Sequence, residues 1–196
     1  SSIKAARAYY QEFKRQQADL PEARRLSVGI IYSYAPNAEA PGTGLLSEES
    51  MDPSALSQDD RAFLDEAIAD YNQQFGASFG TDASGFEGYY TSLSTALAER
   101  RIDLVIVVDM FLTGFDSKSL NTLWVDKNLR AHGLIQAFSR TNRILNSVKT
   151  FGNIVCFRNL EEATNDAIAL FGNKEARGQV LLRPYGEYLS TYHETI

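Results

Sequence analysis

The chain has 196 residues, a size that fits one ordinary domain with enough length to bury a real core. It is 44% hydrophobic and 22% charged, with one cysteine and no apolar run long enough to span a membrane as a helix, which excludes a disulfide framework and a transmembrane helix. The formal net charge of −6 argues against a uniformly basic nucleic-acid binder. The charge is uneven, however. Residues 36–75 carry nine carboxylates against Arg61 alone, whereas residues 101–150 carry seven Lys and Arg against four carboxylates. The acidic stretch reads as a solvated face and loop, and the second stretch leaves room for a local basic surface.

In chain order, IKAARAYYQEFKRQQ predicts a helix with Ile3, Ala6, Tyr9, Tyr10 and Phe13 on one stripe. LSVGIIYSY (26–34) is a β-branched and aromatic run that ends before Pro36, a strand. Residues 36–57 form a long acidic loop rich in Pro and Gly, and its PGTGLL lacks the residues of a phosphate loop. Ser57 or Asp59 caps a helix carrying Phe63, Leu64, Ala67, Ile68, Tyr71 and Phe75. FGASFGTDASG leaves space for a short strand, and a second helix from about Ser84 carries Phe86, Tyr90, Leu93 and Leu97. DLVIVVDM (103–110) is a continuous apolar run of the kind buried on both faces of a parallel sheet. NTLWVD (121–126) and GNIVCF (152–157) are further strands, with a helix at about 131–145 between them. ATNDAIALFGN is a helix with Gly172 or Asn173 near its C-cap, and RPYGEYLSTYHETI reads as the start of a following helical domain.

Short apolar strands alternating with helices give an α/β fold, a mostly parallel sheet with helices on both faces. Ligands in such sheets gather at the carboxyl ends of strands, here the loops after Asp109 and Asp126 and the residues after Tyr34. Cys156, inside NIVCFR, is expected in the core. His132 and His193 stand far apart without Cys, Asp or Glu at ligand spacing, so no metal site is expected. The Ser-Ser opening is neither an initiator methionine nor a signal peptide, and the chain reads as a piece of a larger cytoplasmic protein.

QAFSRTNR (136–143) carries the most specific chemistry. At helical spacing Gln136, Arg140 and Arg143 share a face, with Leu134, Phe138, Thr141 and Leu145 opposite. Two arginines one turn apart suit bidentate recognition of phosphate or carboxylate, although a solvated polar face has the same spacing. Upstream lies DMFLTGFD (109–116), where Gly114 permits a tight turn, Thr113 offers a hydroxyl, and Asp109 and Asp116 bracket the loop. A plain strand-to-loop turn with an Asp cap fits the same residues. A paired-carboxylate glycosidase would need a carbohydrate groove that the sequence does not advertise.

DMFLTGFD followed by QAFSRTNR resembles motifs V and VI of superfamily-2 helicases and translocases. NTLWVDKNLRAHGLIQAFSRTNRI with KTFGNIVCFRNLEEA is similar to the R (motor) subunit of type I restriction enzymes. YNQQF, GFEGYY, LTGFD and QAFSRTNR fit that family in order, and the resemblance runs from about Ile3 to Phe171. It implies a second RecA-like lobe over 1–172, followed by a linker and the first helix of another domain over 173–196. It further implies that Arg140 and Arg143 reach the γ-phosphate of ATP held by a first lobe, and that Gln136 orients them or the attacking water. Gly114 and Asp116 then serve ATP binding. Thr113, Tyr32 and Ser33 become candidates for contact with the DNA backbone. The partners implied are double-stranded DNA, the first lobe and nuclease domain of the same parent chain, and modification and specificity subunits in a bacterial cytoplasm.

The family pattern is not met everywhere. Ser139 stands where many members have glycine, and Val108 where many have threonine, which weakens the DNA-contacting part of motif V more than the nucleotide part. The sequence contains no Gly-x-x-x-x-Gly-Lys-Ser/Thr, no Asp-Glu-x-His box and no evident nuclease carboxylate cluster. ATP and Mg2+ are therefore expected to be bound mainly by another lobe, with the isolated chain inactive. Two other classes stay open: a non-catalytic RecA-like scaffold that binds nucleic acid, and a small-molecule enzyme on a doubly wound sheet. Another superfamily-2 helicase would share the motifs.

Overall fold

Side-chain caps set where the helices begin. Ser2 Oγ accepts the Ala5 N–H at 3.2 Å and starts α1, Ile3–Gln17. Ser57 Oγ accepts the Asp60 N–H at 3.1 Å and starts α2, Gln58–Phe75, which closes on Gly76 in the left-handed region (φ 65°). Asp82 accepts the Gly85 N–H at 3.0 Å and starts α3, Ala83–Ala98; that bond, with one from Ser84, holds its carboxyl below the usual carboxylate range. These observations come from a computed structural model that describes residues 2–33, 56–111 and 115–171. Residues 36–55 of the expected acidic loop, the expected C-cap at Gly172 or Asn173, and the 173–196 segment lie outside the described residues.

The protein is α/β, and both of its strand pairings are parallel. β1 (Val28–Tyr32) runs beside β2 (Leu104–Val108), pairing Val28 with Leu104 through Tyr32 with Val108. β3 (Thr122–Val125) runs beside β4 (Asn153–Cys156), pairing Thr122 with Asn153 through Val125 with Cys156. α4 (Ala131–Phe138) connects the second pair, as a parallel crossover requires, and α5 (Glu161–Phe171) follows β4. Among the described residues the strands form these two pairs in place of one continuous sheet. An ion pair from Lys127, just past β3, to Asp109, just past β2, links their carboxyl ends.

β1 is covered on both sides, as the alternation of its side chains requires. A methyl at Gly29 would sit 2.7 Å from Leu93 Cδ1, so α3 packs directly on the bare backbone there. On the alternate face the Tyr32 hydroxyl donates to the Asp60 carbonyl of α2 at 2.6 Å. Tyr10, Phe63, Tyr71 and Tyr89 join α1, α2 and α3 around this core through edge-to-face ring contacts. A smaller core gathers Val125, Leu129, Leu134, Ala137, Leu160 and Ala167 where α4 and α5 meet β3.

Several local expectations change. FGASFG contains no strand; Asn72 clips it instead, accepting from the Phe79 N–H at 3.0 Å and donating to the Phe79 carbonyl at 2.8 Å. Tyr9 leaves the buried stripe of α1 and donates to Asp126 at 3.2 Å. β2 is only half-buried along most of its length. Cys156 is exposed, contrary to the core position expected from its apolar run, because β4 contributes no residue to the smaller core. On the opposite face of this strand pair Trp124 and Phe157 stack on each other at 6.0 Å. No helix among the described residues is long and apolar enough to cross a membrane.

Leu93 is fully buried against Gly29, so Leu93→Ala leaves a cavity where helix meets strand. The expected loss is about 2–5 kcal/mol, read as a lower urea midpoint at unchanged slope. A loss well under about 1 kcal/mol would show that α3 does not rest on the Gly29 backbone as described.

Candidate functional site

The site begins where α4 ends. α4 stops at Phe138, and Ser139–Thr141 continue as a 3-10 turn that closes on Asn142. The expected helix to residue 145 is therefore eight residues of α-helix and a tighter turn, with Arg140 on the turn and Arg143 beyond it. The packed side behaves as expected: Leu134 and Thr141 are buried, and Phe138 and Leu145 are half-buried.

Long-range contacts set this early stop. Gly152, just before β4, lies so close to the turn that a Cβ there would stand 2.1 Å from the Thr141 carbonyl oxygen and 2.5 Å from its Cβ. Only a residue without a side chain permits that approach. The buried Lys149 donates from Nζ to the Thr141 carbonyl at 2.8 Å and also to the Arg143 carbonyl. The chain returns to Lys149 through a short turn in which Leu145 and Lys149 exchange backbone hydrogen bonds at 2.9 and 3.2 Å.

The guanidiniums reach back toward the loop after β2. Arg140 Nε donates to the Gln136 carbonyl at 3.1 Å, and its Nη1 donates to the Phe115 carbonyl. Arg143 Nη2 lies 2.9 Å from Asp116 Oδ2, in a pair with both side chains more than half exposed. Gln136 keeps a buried Oε1 with no hydrogen-bond partner among the described residues. Four of the expected residues (Gln136, Arg140, Arg143 and Asp116) are thus drawn together by contacts between two segments some twenty residues apart. Gly114 and Thr113 lie outside the described residues. At the edge of that loop Asp109 and Phe111 take left-handed backbone, φ 55° and 60°. Asp tolerates this conformation, whereas for Phe111 it is strained, and its ring is held between Tyr90 and Phe115 at 4.8 and 4.9 Å.

The other two expected contacts sit on the first strand pair. Ser33 follows β1, at the strand end where Asp109 follows β2, and its buried Oγ has no hydrogen-bond partner among the described residues. Tyr32 is different. Its side chain is fully buried and its hydroxyl is committed to Asp60, so the phenol packs beneath the strand end rather than facing outward. Burial, and then the charge of Asp60, pushes that phenol above its ordinary range and keeps it neutral. Beyond β3, Asp126 accepts from Arg158 Nε at 2.8 Å and from Tyr9, closing that strand end with a small polar network.

Lys149 and Gly152 are neighbours of the candidate site that sequence reasoning missed. A lysine soon after a helix end can cap its last carbonyls, and a glycine opening a strand can mark close backbone approach, but neither signal names its partner. Gly152→Ala forces the Thr141 carbonyl and the start of β4 apart. It is expected to destabilise the chain by about 1–3 kcal/mol in denaturant unfolding, and a neutral result would contradict the close approach.

The chain matches the family model for domain 3 of the type I restriction enzyme subunit R over residues 1–159. It is 40% identical over 189 residues to a type I restriction enzyme endonuclease subunit of Staphylococcus aureus (strain MRSA252), covering 95% of this chain and 19% of that protein. With the corresponding subunit of Staphylococcus saprophyticus it is 42% identical over 197 residues, covering 100% of this chain and 20% of that protein. A putative type I restriction enzyme endonuclease subunit of Methanocaldococcus jannaschii shares 43% over 68 residues, 35% of this chain and 6% of that protein. The chain spans about a fifth of the length of the staphylococcal relatives. With the R-subunit model matched along most of its length, this chain belongs to the type I restriction enzyme subunit R domain 3 family.

Proposed function

We propose that this chain is the second RecA-like lobe of an ATP-driven translocase of double-stranded DNA, within the R subunit of a type I restriction enzyme. In this reading Arg140 and Arg143 act on the γ-phosphate of ATP bound by another lobe of the same parent chain. The observation that carries it is the joining of the two motifs: Arg143 pairs with Asp116 at 2.9 Å, and Arg140 donates to the Phe115 carbonyl.

The chemistry follows from charge. A loose phosphoryl-transfer transition state spreads negative charge over its oxygens, and a guanidinium already in position stabilises it. Arg143 is the more available of the two. An exposed ion pair such as that with Asp116 is worth about 0–1 kcal/mol, so exchanging the carboxylate for a phosphate costs little. Arg140 spends two of its five N–H groups within the lobe and keeps the rest. Asp116 fits a ribose contact or a link between the motifs, and Gly114 is the second residue assigned to ATP binding in this reading. Thr113 and Ser33 remain the side chains offered for contact with the DNA backbone, with Tyr32 supporting the strand end from beneath. Such contacts grip phosphate and do not read bases, so DNA binding by the parent is expected to fall steeply with salt. Among the described residues no group of three or more His, Cys, Asp or Glu side chains is placed to hold a metal ion. In this reading what the lobe supplies to the reaction is guanidinium charge.

The partners in this reading are duplex DNA, the nucleotide-binding lobe and nuclease domain of the parent chain, and the modification and specificity subunits. Arg143→Ala in the full-length parent should abolish DNA-stimulated ATP hydrolysis, with ATP affinity and thermal stability little changed. Normal turnover in that variant removes the finger assignment. The isolated chain should show no ATPase and at most weak DNA binding; robust hydrolysis by the pure chain would mean that it holds a complete nucleotide site.

A further inference from the structure

Lys149 is the one charged residue that is buried among the described residues, at 8% exposure, and no carboxylate there lies within ion-pair distance of it. Its Nζ is held by two backbone carbonyls, those of Thr141 and Arg143. Thr141 ends the 3-10 turn that follows α4, where carbonyls have no partner within the helix, and Arg143 lies two residues beyond it. An ammonium has three donors and no acceptor, so it can bind two convergent carbonyls at once. Bonds from a charged donor are also the stronger kind. Burying an ammonium without a carboxylate is costly, and an apolar side chain would serve packing alone at least as well. What the lysine provides is a fixed position for the Thr141 and Arg143 carbonyls. The return turn is built to deliver it: Asn146 takes left-handed backbone (φ 49°) and its Oδ1 accepts the Val148 N–H at 2.8 Å. Gly152 blocks the other side, since the Thr141 carbonyl rests on its bare backbone.

We propose that Lys149 is a positioning residue for the arginine-finger reaction. Its buried ammonium, bonded to the Thr141 and Arg143 carbonyls, fixes the backbone from which the Arg143 guanidinium projects. The inference rests on Arg143 acting as the finger. Lys149 itself touches no substrate. Its removal should leave ATP binding intact and lower turnover, because the guanidinium then samples positions outside the productive one.

The test uses the full-length parent chain with Lys149→Met, which keeps length and loses the donors, Lys149→Arg, which restores donors and charge, and Arg143→Ala. Lys149→Met is expected to lower kcat of DNA-stimulated ATP hydrolysis about tenfold or more with KM for ATP within about twofold, and Lys149→Arg to recover part of the loss. Amide hydrogen exchange over residues 139–145 is expected to be about tenfold faster in Lys149→Met while other segments exchange as in the parent. Unchanged exchange in that segment overturns the clamp itself. Faster exchange with unchanged kcat, while Arg143→Ala is inactive, overturns the link from clamp to reaction. Normal turnover in Arg143→Ala defeats the finger reading and the catalytic part of this inference with it, and the exchange data still decide whether Lys149 holds the backbone. A global loss of protection in Lys149→Met, with a matching loss in Lys149→Arg, would make Lys149 a general stability residue and contradict the proposal.

Discussion

Arg140 is the joint on which the site depends. One N–H of its guanidinium goes to the Gln136 carbonyl at 3.1 Å and another to the Phe115 carbonyl, so the end of α4 and the loop after β2 are fastened by a single planar group. The fork of donors in a guanidinium makes this possible; a lysine would supply a point charge without the fixed geometry. Once the two segments are joined, Arg143 falls opposite Asp116. The two arginines therefore differ in kind. Arg140 donates to two backbone carbonyls, and Arg143 is exposed and held by an ion pair that water and salt weaken.

That joint stands on a backbone whose course is set from outside the motif. A regular helix through residue 143 would place all three polar side chains on one stripe, which is the pattern the spacing suggests. Instead the helix tightens after Phe138, because the Thr141 carbonyl lies against Gly152 and is taken by Lys149. A motif read as three residues on a helical face is thus a short helix, a turn and an ammonium clamp. The strained Phe111, wedged between two aromatic rings, fixes the facing loop in a comparable way.

Much of this was legible in the sequence, and the limits follow from range. Local signals worked where cause and effect lie within a turn of each other: Ser57 caps α2, and the apolar stripe Phe63, Leu64, Ala67, Ile68 and Tyr71 is buried as its spacing requires. The parallel pairings follow from strands separated by helices. What failed depended on distant neighbours. Cys156 sits in an apolar run that resembles core, yet β4 lacks a covering layer among the described residues. Tyr32 looked like a residue presented at a strand end, but the Asp60 carbonyl draws its hydroxyl inward. At the candidate site, the order of the motifs named Gln136, Arg140, Arg143 and Asp116, of which Arg143 and Asp116 pair directly, and no periodicity could have pointed to Lys149 or Gly152.

The central claim is that these arginines complete a nucleotide site formed with another lobe. The most direct measurement is a structure of the full-length parent chain with DNA and an ADP–metal-fluoride mimic of the transferring phosphoryl group. The account predicts Arg143 released from Asp116, with its guanidinium within hydrogen-bond distance of the fluoride, and Arg140 beside it with the Phe115 contact kept. Both guanidiniums still turned into their own lobe, with the mimic fully coordinated by other residues, would contradict it.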